Sequence, residues 1–400
     1  MKRAIYYSFI ILLAVLLNTG CEDKELGNPL PSTVADFSYT ISNGGYAPCT
    51  VIFTNLSLNA TGYLWDFGNG QTSTEMNPAV QYDTIGTFTV TLTCTPLNDV
   101  HYNQLVKSVM ITAKDPNAGK TQVLYFTQRN PAGGSGNYVI LSDTTKTVYN
   151  FDFAEMNRPY GITADTATRK VFISDFSVDA IFSFDADGKN PVKILDINIA
   201  GQEVVEDAEA LMVIGSTLYF GRVGGIFTCS FDGTNVDTML YTGSSAPEYP
   251  IDMQLDTTTG KIFFVNDKTD FSGGLYSVNP DGTGTTMIIP DIDGTAIEVD
   301  SEHAKIYLAI YDDPNTTEDE DGIWWCNMDG SELNKIGDYG LKATWGIAVD
   351  HEHQKLFWSY KDSSSDPDGK IVRANLDGSG AEDWITGVSP HAMEVVWIKL

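Results

Sequence analysis

The densest group of possible metal ligands in this sequence lies in an acidic stretch between residues 312 and 321. Its candidate ligands are the carboxylates of Asp312, Asp313, Asp319 and Asp321. Carboxylate oxygens at this density suit Ca²⁺, a hard cation that takes only oxygen ligands. The spacing does not match the EF-hand loop, which reads Asp-x-Asp-x-Asp-Gly with a terminal Glu. A calcium site and a solvated acidic loop therefore both remain open for this stretch.

Motifs that would indicate an enzyme are absent from the sequence. It contains no Gly-x-Ser-x-Gly elbow, no His-Glu-x-x-His, no Cys-x-x-Cys and no phosphate-binding glycine loop. Two of its histidines, His303 and His353, follow an aspartate by three residues in equivalent segments. Equivalent positions indicate a repeated surface feature more than chemistry. These observations favour a binding protein over an enzyme.

A motif that returns at a nearly fixed interval decides the architecture of the larger part of the chain. Asp-Gly pairs begin at Asp187, Asp232, Asp281, Asp329 and Asp377, at intervals of 45, 49, 48 and 48 residues. Asp-Gly suits a tight hairpin, because glycine tolerates positive φ. Apolar alternating segments precede and follow each pair and predict four strands per repeat. Four strands in about 45 residues are typical of one blade of a β-propeller.

Five complete repeats occupy residues 159–386, and the remainder predicts how the ring closes. Residues 121–152 contain three further strand segments, and residues 392–397 supply one more. We expect these four to form a sixth blade from both ends of the segment, which leaves no free sheet edge. The domain is therefore predicted to be a six-bladed propeller over residues 120–400. Segments such as Gly346–Asp350 and Lys355–Trp358 resemble the YWTD-type propeller repeat, although the four-letter core is loose.

The two faces of the predicted ring differ in loop length. The Asp-Gly turns are short and uniform, whereas the opposite face carries longer, dissimilar loops, which is where a rigid scaffold usually holds recognition residues. The candidates on that face are mostly aromatic rings, which could stack on sugars or pack on a partner. They are Tyr160, Phe176, Arg222, Tyr249, Phe271, Tyr311, Trp345, Tyr360 and His391. Some of these rings could instead cap the cores of the blades.

Two acidic residues fall in matching positions of inner strands. Glu209 and Asp252 are predicted to face the central channel, where carboxylates could bind a cation or line water. This leaves a metal-dependent hydrolase or lyase as an alternative to a non-catalytic binding protein that recognises a glycan or a protein. A structural or adhesive surface protein is the third possibility. Bound Ca²⁺ is the only cofactor that these residues suggest.

The segment before the propeller predicts a small β-sandwich over residues 35–114. Strand segments such as Val51–Phe53 and Phe88–Leu92 alternate between apolar and polar residues. Trp65-Asp66-Phe67-Gly68-Asn69-Gly70 differs at one position from the WDFGDG hallmark of PKD domains, which the whole segment resembles. The resemblance implies an immunoglobulin-like sandwich that acts as a spacer, with the tryptophan and phenylalanine in its core. The fold class is therefore all-β.

The five cysteines divide between these regions. Cys49 and Cys94 of the sandwich could form a disulfide in an oxidising compartment, but they stand at opposite ends of their strands, so the pairing stays open. Cys229 and Cys326 occupy the same strand position two blades apart. That separation exceeds disulfide reach, so we expect two buried thiols.

The first residues resemble an export signal. Lys2 and Arg3 precede an apolar run, which ends in a lipobox-like segment at Cys21. The resemblance implies a signal peptide over residues 1–20, a lipid on Cys21 and a tether over residues 21–34. The acidic run after Cys21 is similar to surface-display signals of Gram-negative lipoproteins. We therefore expect a monomeric, lipid-anchored outer-membrane protein that faces the cell exterior.

The net charge of the chain limits the classes of partner that it can bind. Its 53 acidic and 24 basic residues give a formal net charge of −29. Nucleic acid is an unsuitable partner, because its phosphates need a basic face. Electrostatic docking on anionic lipid is disfavoured for the same reason.

Overall fold

The computed structural model describes residues 31–97, 102–130, 133–151, 153–241, 250–266, 273–310, 322–337, 344–361 and 369–400. The chain divides into two compact units, Met1–Ala118 and Gly119–Leu400. Cys21, Tyr249, Phe271, Tyr311 and the acidic stretch at 312–321 lie outside the described residues. The described residues contain no helix that is long and apolar enough to cross a membrane.

The first unit is built from short strands in three sheets. The strands are β1 (Thr33–Val34), β2 (Phe37–Ile41), β3 (Cys49–Asn55), β4 (Ala60–Asp66), β5 (Thr72–Ser73), β6 (Ala79–Tyr82), β7 (Gly86–Pro96), β8 (Tyr102–Gln104) and β9 (Val106–Ala113). A 3₁₀ turn occupies Asn43–Gly45. Two sheets, ordered β2-β3-β6 and β5-β4-β7-β9, enclose one core, and β1 pairs in parallel with β8. This is the predicted sandwich.

The Trp-Asp-Phe-Gly motif fills the core of the sandwich. Trp65 has no exposed surface, and its ring lies 5.1 Å from that of Phe53. The indole Nε1 donates to the carbonyl of Glu75 at 2.9 Å, so the buried donor is satisfied. Gly68 has φ +74°, and a Cβ there would lie 2.8 Å from the carbonyl oxygen of Thr89. The motif is therefore structural: its rings form the core and its first glycine permits the turn.

The cysteines of the described residues are all buried free thiols. Cys49 and Cys94 lie in different sheets, on β3 and β7, and the Cys94 thiol donates to Ser57 Oγ at 3.3 Å. Burial raises the pKa of Cys229 and of Cys326 to about 12. Both act as small apolar residues, because their thiolates are strongly disfavoured.

The second unit is a propeller whose described residues form six four-stranded antiparallel sheets. Its strands begin with an opening group of three, and the strands of blades one, two and three follow in chain order. The opening group is β10 (Thr121–Asn130), β11 (Gly133–Ile140) and β12 (Tyr149–Phe151). Blade one is β13 (Pro159–Asp165), β14 (Lys170–Asp175), β15 (Ala180–Asp185) and β16 (Val192–Asp196). Blade two is β17 (Leu211–Ile214), β18 (Thr217–Arg222), β19 (Gly225–Ser230) and β20 (Asp237–Tyr241). Blade three is β21 (Pro250–Leu255), β22 (Ile262–Asn266), β23 (Gly274–Val278) and β24 (Thr286–Pro290).

The remaining strands complete the ring. Blade four is β25 (Gly294–Asp300), β26 (Lys305–Ile310), β27 (Gly322–Asn327) and β28 (Asn334–Gly337). Blade five is β29 (Ile347–Asp350), β30 (Lys355–Tyr360), β31 (Lys370–Asn375) and β32 (Glu382–Thr386). The last strand, β33 (Pro390–Ile398), joins the opening group as blade six. A 3₁₀ turn at Glu203–Val205 precedes β17.

The ring closes as the sequence predicts. β33 pairs antiparallel with β10 along its length, from Thr121 opposite Ile398 to Gln128 opposite Pro390. The order of blade six is β12-β11-β10-β33, so the final strand of the chain is its innermost strand. One sheet thus contains strands from both ends of the unit, and the strand that would otherwise be a free edge is paired.

The Asp-Gly turns are built from local hydrogen bonds. Asp232 Oδ1, for example, accepts from the backbone N of Thr234 at 3.0 Å and from its Oγ1 at 2.6 Å. Gly233 has φ +77°, and a Cβ there would lie 1.8 Å from the carbonyl oxygen of Ile194 in the preceding blade. The glycine is therefore required by the close approach of two blades as well as by the turn. Apolar faces fill the space between neighbouring blades, as Phe172 and Phe220 do.

Candidate functional site

A cavity opens at the axis of the propeller, where the inner strands begin. Its lining includes Tyr160, Glu209, Trp345 and His391, which we call the mouth, together with Asp252 of the channel. The enclosed space is small, about 20 Å³, which is room for about one water molecule, and it is partly open to solvent. These residues belong to or precede the inner strands of five blades: β13, β17, β21, β29 and β33. The fold therefore brings together side chains that are far apart in the sequence.

The aromatic side chains of the mouth contact each other. The ring of His391 lies 4.5 Å from the ring of Tyr160 and 5.2 Å from that of Trp345, to which it is nearly parallel at 22°. Phe176, in the β14–β15 loop, lies 5.1 Å from Tyr160. Tyr160 is 7% exposed and His391 3%, whereas Trp345 is half-buried. The indole, like the ring of Phe176, is thus partly exposed and available for stacking.

Two arginines that the sequence analysis missed support this cluster. The guanidinium of Arg129 lies 3.8 Å above the ring of Tyr160, and that of Arg158 lies 5.0 Å from Phe176. Arg129 stands near the end of β10, which extends four residues beyond the apolar segment Val123–Phe126. Alignment of β10 as a second strand of a blade would have placed Arg129 beside the mouth.

Several buried polar atoms at the mouth have no hydrogen-bond partner among the residues that the structure describes. They are both ring nitrogens of His391, Nε1 of Trp345, Nη2 of Arg129 and Oγ1 of Thr344. Buried polar groups are nearly always paired, so each such atom requires an explanation. Burial, with Arg129, Lys361 and Arg158 nearby, holds the pKa of His391 well below its usual range. The imidazole is therefore neutral at pH 7 and can both donate and accept.

Deeper in the channel, three carboxyl groups are paired with backbone. Asp252 Oδ2 accepts from the N–H of Ile297 at 3.0 Å, and Glu394 Oε2 from that of Ala164 at 2.9 Å. Glu298 accepts a backbone hydrogen bond from Val349 in the same way. In each case a carboxyl on one inner strand bonds the inner strand of the next blade. The carboxyls thus satisfy donors on strand edges that no further strand covers.

Burial shifts the titration of these carboxyls. It raises the pKa of Asp252 to about 7 and that of Glu394 to about 8. Burial and the proximity of Glu394 and Asp252 also raise the pKa of Glu298 well above its ordinary value. Since a dry environment disfavours the charged form, all three are held partly or wholly protonated near neutral pH. Glu209 stands apart from them, because it precedes β17 and lies at the mouth itself.

The other candidate side chains lie elsewhere on the propeller. Arg222 ends β18, and its guanidinium lies 5.2 Å from the ring of Phe227 within the same blade. Tyr360 ends β30, and Lys370 Nζ lies 4.5 Å from its ring. His303 and His353 lie in the β25–β26 and β29–β30 turns, on the opposite face. Each has Nδ1 2.8 Å from the aspartate three residues before it.

Comparison with known proteins identifies the first unit. Residues 28–111 match the PKD domain family. A segment of 37 residues is 60% identical to the pre-pro-metalloprotease PrtV of Vibrio cholerae, but it covers 9% of this chain and 4% of that protein. The chain thus spans a small fraction of the curated relative that it matches.

Solved structures resemble the second unit in fold. A chain in the crystal structure of a nidogen/laminin complex superposes with a TM-score of 0.54 at 15% identity, over 68% of this chain and 98% of that one. A putative TolB from Agrobacterium tumefaciens is similar over 70% of this chain and 99% of its own, with 12% identity and a TM-score of 0.49. At such identities the likeness concerns the fold alone. The chain therefore consists of a PKD domain followed by a six-bladed β-propeller.

Proposed function

We propose that this protein is a non-catalytic binding protein whose propeller mouth contacts a saccharide unit of a glycan from its solvent-open side. The observation that carries the proposal is the group of buried polar atoms on His391, Trp345 and Arg129 that find no partner in the described part of the chain. Buried donors without partners cost free energy that the fold does not recover internally. A ligand rich in hydroxyl groups would supply the missing hydrogen bonds, and the half-buried indole would stack on the apolar face of a sugar ring.

The charge around His391 favours a sugar that carries a carboxylate. Arg129, Arg158 and Lys361 all lie close enough to depress the pKa of His391. This concentration of cations contrasts with a chain whose net charge is −29. Cationic side chains grouped at a pocket attract and orient an anionic ligand. A uronic acid residue combines the carboxylate, the hydroxyls and the apolar ring face that such a mouth would bind.

Binding of trigalacturonic acid and of maltotriose, measured by calorimetry, tests the proposal with an acidic and a neutral probe. A wider glycan array extends the search. Trp345→Ala is expected to weaken binding of the acidic probe by about tenfold or more, as for a central aromatic anchor. Trp325→Ala is the matched control, since Trp325 lies on β27 near the Asp-Gly turn of blade four, away from the mouth.

The outcomes separate the parts of the proposal. Binding of neutral sugars alone would remove the preference for a carboxylate but keep the glycan. Failure of every saccharide on the array, or equal losses in Trp345→Ala and Trp325→Ala, would contradict glycan binding at the mouth. A protein partner captured in a Trp345-dependent manner would then replace it.

We also propose that the protein is a monomer anchored to the outer membrane through a lipid on Cys21, with the PKD domain as a spacer. The lipobox-like segment that ends at Cys21 and the tether-like composition after it support this location. Metabolic labelling with a radioactive fatty acid tests it. Label is expected on the full-length protein and absent from Cys21→Ala, and label retained by that variant would contradict the anchor.

A further inference from the structure

A second group of unusual contacts lies on the face opposite the mouth, between blades four and five. Asp300 ends the inner strand β25 and is fully buried. Its Oδ2 lies 2.8 Å from Nδ1 of His303, in the same turn. Its Oδ1 lies 3.6 Å from Nδ1 of His351, in the equivalent turn of the next blade. Nδ1 of His351 also lies 3.7 Å from Oε2 of Glu302.

Equivalent blade junctions show what normally occupies the position of His351. At the junction before it, Ser301 hydrogen-bonds the side chain of Asp256, which is the equivalent aspartate of blade three. At the junction after it, Gln122 Nε2 donates to Oδ1 of Asp350 at 2.7 Å. In both places the next blade supplies a direct hydrogen bond to the aspartate. Among these three described junctions, only the imidazole of His351 lies beyond hydrogen-bond distance of the aspartate of the preceding blade, Asp300.

The separations at His351 are those of ligands that share a metal ion. Two ligand atoms at about 2.1 Å from a tetrahedral zinc lie about 3.4 Å apart. The His351 nitrogen is 3.6 Å from one carboxylate oxygen and 3.7 Å from another, and these oxygens come from different residues. Ligand atoms of Asp300, His303 and His351 all lie within 4.8 Å of one another. The contact of His303 with Oδ2 fixes the orientation of the Asp300 carboxylate, whose Oδ1 lies near His351.

We propose that Asp300, His303 and His351 form a surface site for a divalent transition-metal ion of the zinc class, with Glu302 beside His351. Imidazole nitrogen with carboxylate oxygen is a donor set that zinc accepts, with solvent in the fourth position. Asp300 supplies a buried, preoriented oxygen, while the side chains of His303 and His351 are 38% and 42% exposed and so are accessible to an incoming ion. The ion would tie blade four to blade five and would stabilise the propeller independently of the mouth.

The test uses the full chain without a polyhistidine tag. The protein is dialysed with ZnCl₂ and then against metal-free buffer, and bound zinc is measured by elemental analysis, with Co²⁺ absorption as a second readout of tetrahedral coordination. One zinc per chain is expected, together with a higher midpoint of thermal unfolding. His351→Ala is expected to weaken zinc binding by about tenfold or more. Glu302→Gln, which keeps the shape of the side chain, is expected to weaken it less.

His353→Ala is the matched control, because His353 is the repeat equivalent of His303 and lies in the same turn as His351, but its aspartate is already bonded by Gln122. It is expected to bind zinc like the wild type. Absence of bound zinc in the wild type would overturn the proposal and leave an ordinary contact between His351 and its acidic neighbours. Equal zinc binding by His351→Ala, or an equal loss in His353→Ala, would overturn it as well. Metal-free His351→Ala should unfold at the same temperature as the metal-free wild type, which excludes misfolding.

Discussion

Among the described residues, buried polar groups are hydrogen-bonded within the channel, whereas several at its mouth are not. In the channel, Asp252 and Glu394 each accept a backbone hydrogen bond from the next blade at 3.0 and 2.9 Å. At the mouth, a few residues away along the same strand β33, both ring nitrogens of His391 are buried without a partner in the described part of the chain. The first arrangement completes the scaffold. The second leaves hydrogen-bonding capacity unused, which is what a binding site offers to a ligand.

The largest effect should come from removal of a paired carboxyl. Glu394→Ala leaves the N–H of Ala164 without its acceptor and creates a cavity, so it is expected to lower the free energy of unfolding by about 3 kcal/mol. Urea denaturation measures this loss. Binding of the acidic trisaccharide should persist under native conditions. A stable Glu394→Ala variant would show that the channel carboxyls do not hold the blades together.

The pH dependence of stability should be the next largest effect. The folded state raises the pKa of Asp252 to about 7 and that of Glu394 to about 8, so it holds protons that the unfolded chain releases. The stability that these groups contribute is complete below their unfolded pKa near 4 and is lost as pH rises through 7 to 8. Between pH 6.5 and pH 8 the free energy of unfolding is expected to fall by on the order of 2 kcal/mol.

Asp252→Asn is the control for this titration, because the amide oxygen can still accept from Ile297 but does not ionise. The variant should lose less stability than the wild type between pH 6.5 and pH 8, as measured by urea midpoints at the two values. Above pH 8 the buried thiols add their own dependence, since burial raises the pKa of Cys229 and Cys326. Identical pH profiles for the variant and the wild type would show that Asp252 ionises as it does in water.

A smaller and opposite effect is expected at the mouth. His391→Leu replaces an imidazole that has no partner among the described residues with an apolar side chain of similar size. The free energy of unfolding should stay unchanged or rise by up to about 1 kcal/mol, whereas binding of the acidic trisaccharide should be lost. Thermal unfolding and calorimetry on one preparation measure both. A large loss of stability would mean that His391 belongs to the scaffold.

The smallest effect is expected from Trp345→Phe. The substitution keeps a ring and removes the indole N–H, which the described residues leave unpartnered. The free energy of unfolding should change by less than about 0.5 kcal/mol, and trisaccharide affinity should fall by about threefold, through one lost hydrogen bond. Titration calorimetry at a single pH measures the affinity. An unchanged affinity would show that the indole contributes stacking alone.

The architecture could be predicted from sequence because its determinants are local and repeated. Each Asp-Gly turn can be recognised from a few consecutive residues, and the close approach at Gly233 explains why glycine recurs there. The closure by β33 followed from the count of strands, and the pairing with β10 confirms it. The Trp65 motif was similarly readable, because its residues form a core within one short segment.

The site was only partly predictable, because its contacts depend on three-dimensional register. Tyr160, Trp345 and His391 were recognised as residues of one face, but their mutual contacts at 4.5 and 5.2 Å join strands from three blades. Arg129 was missed because polar residues at a strand end give no periodic signal. The separation between Asp300 and His351 depends on which side chain the next blade places beside the aspartate. That side chain differs from one junction to the next, so a pattern shared by the repeats does not predict it.

The most direct test is a crystal structure of the protein with trigalacturonic acid. We expect a sugar unit at the mouth, with its oxygens within hydrogen-bond distance of a ring nitrogen of His391 and of Nε1 of Trp345, and its carboxylate near Arg129. A mouth in which ordered water or the chain itself satisfies these atoms, with the saccharide bound elsewhere or not at all, would contradict it.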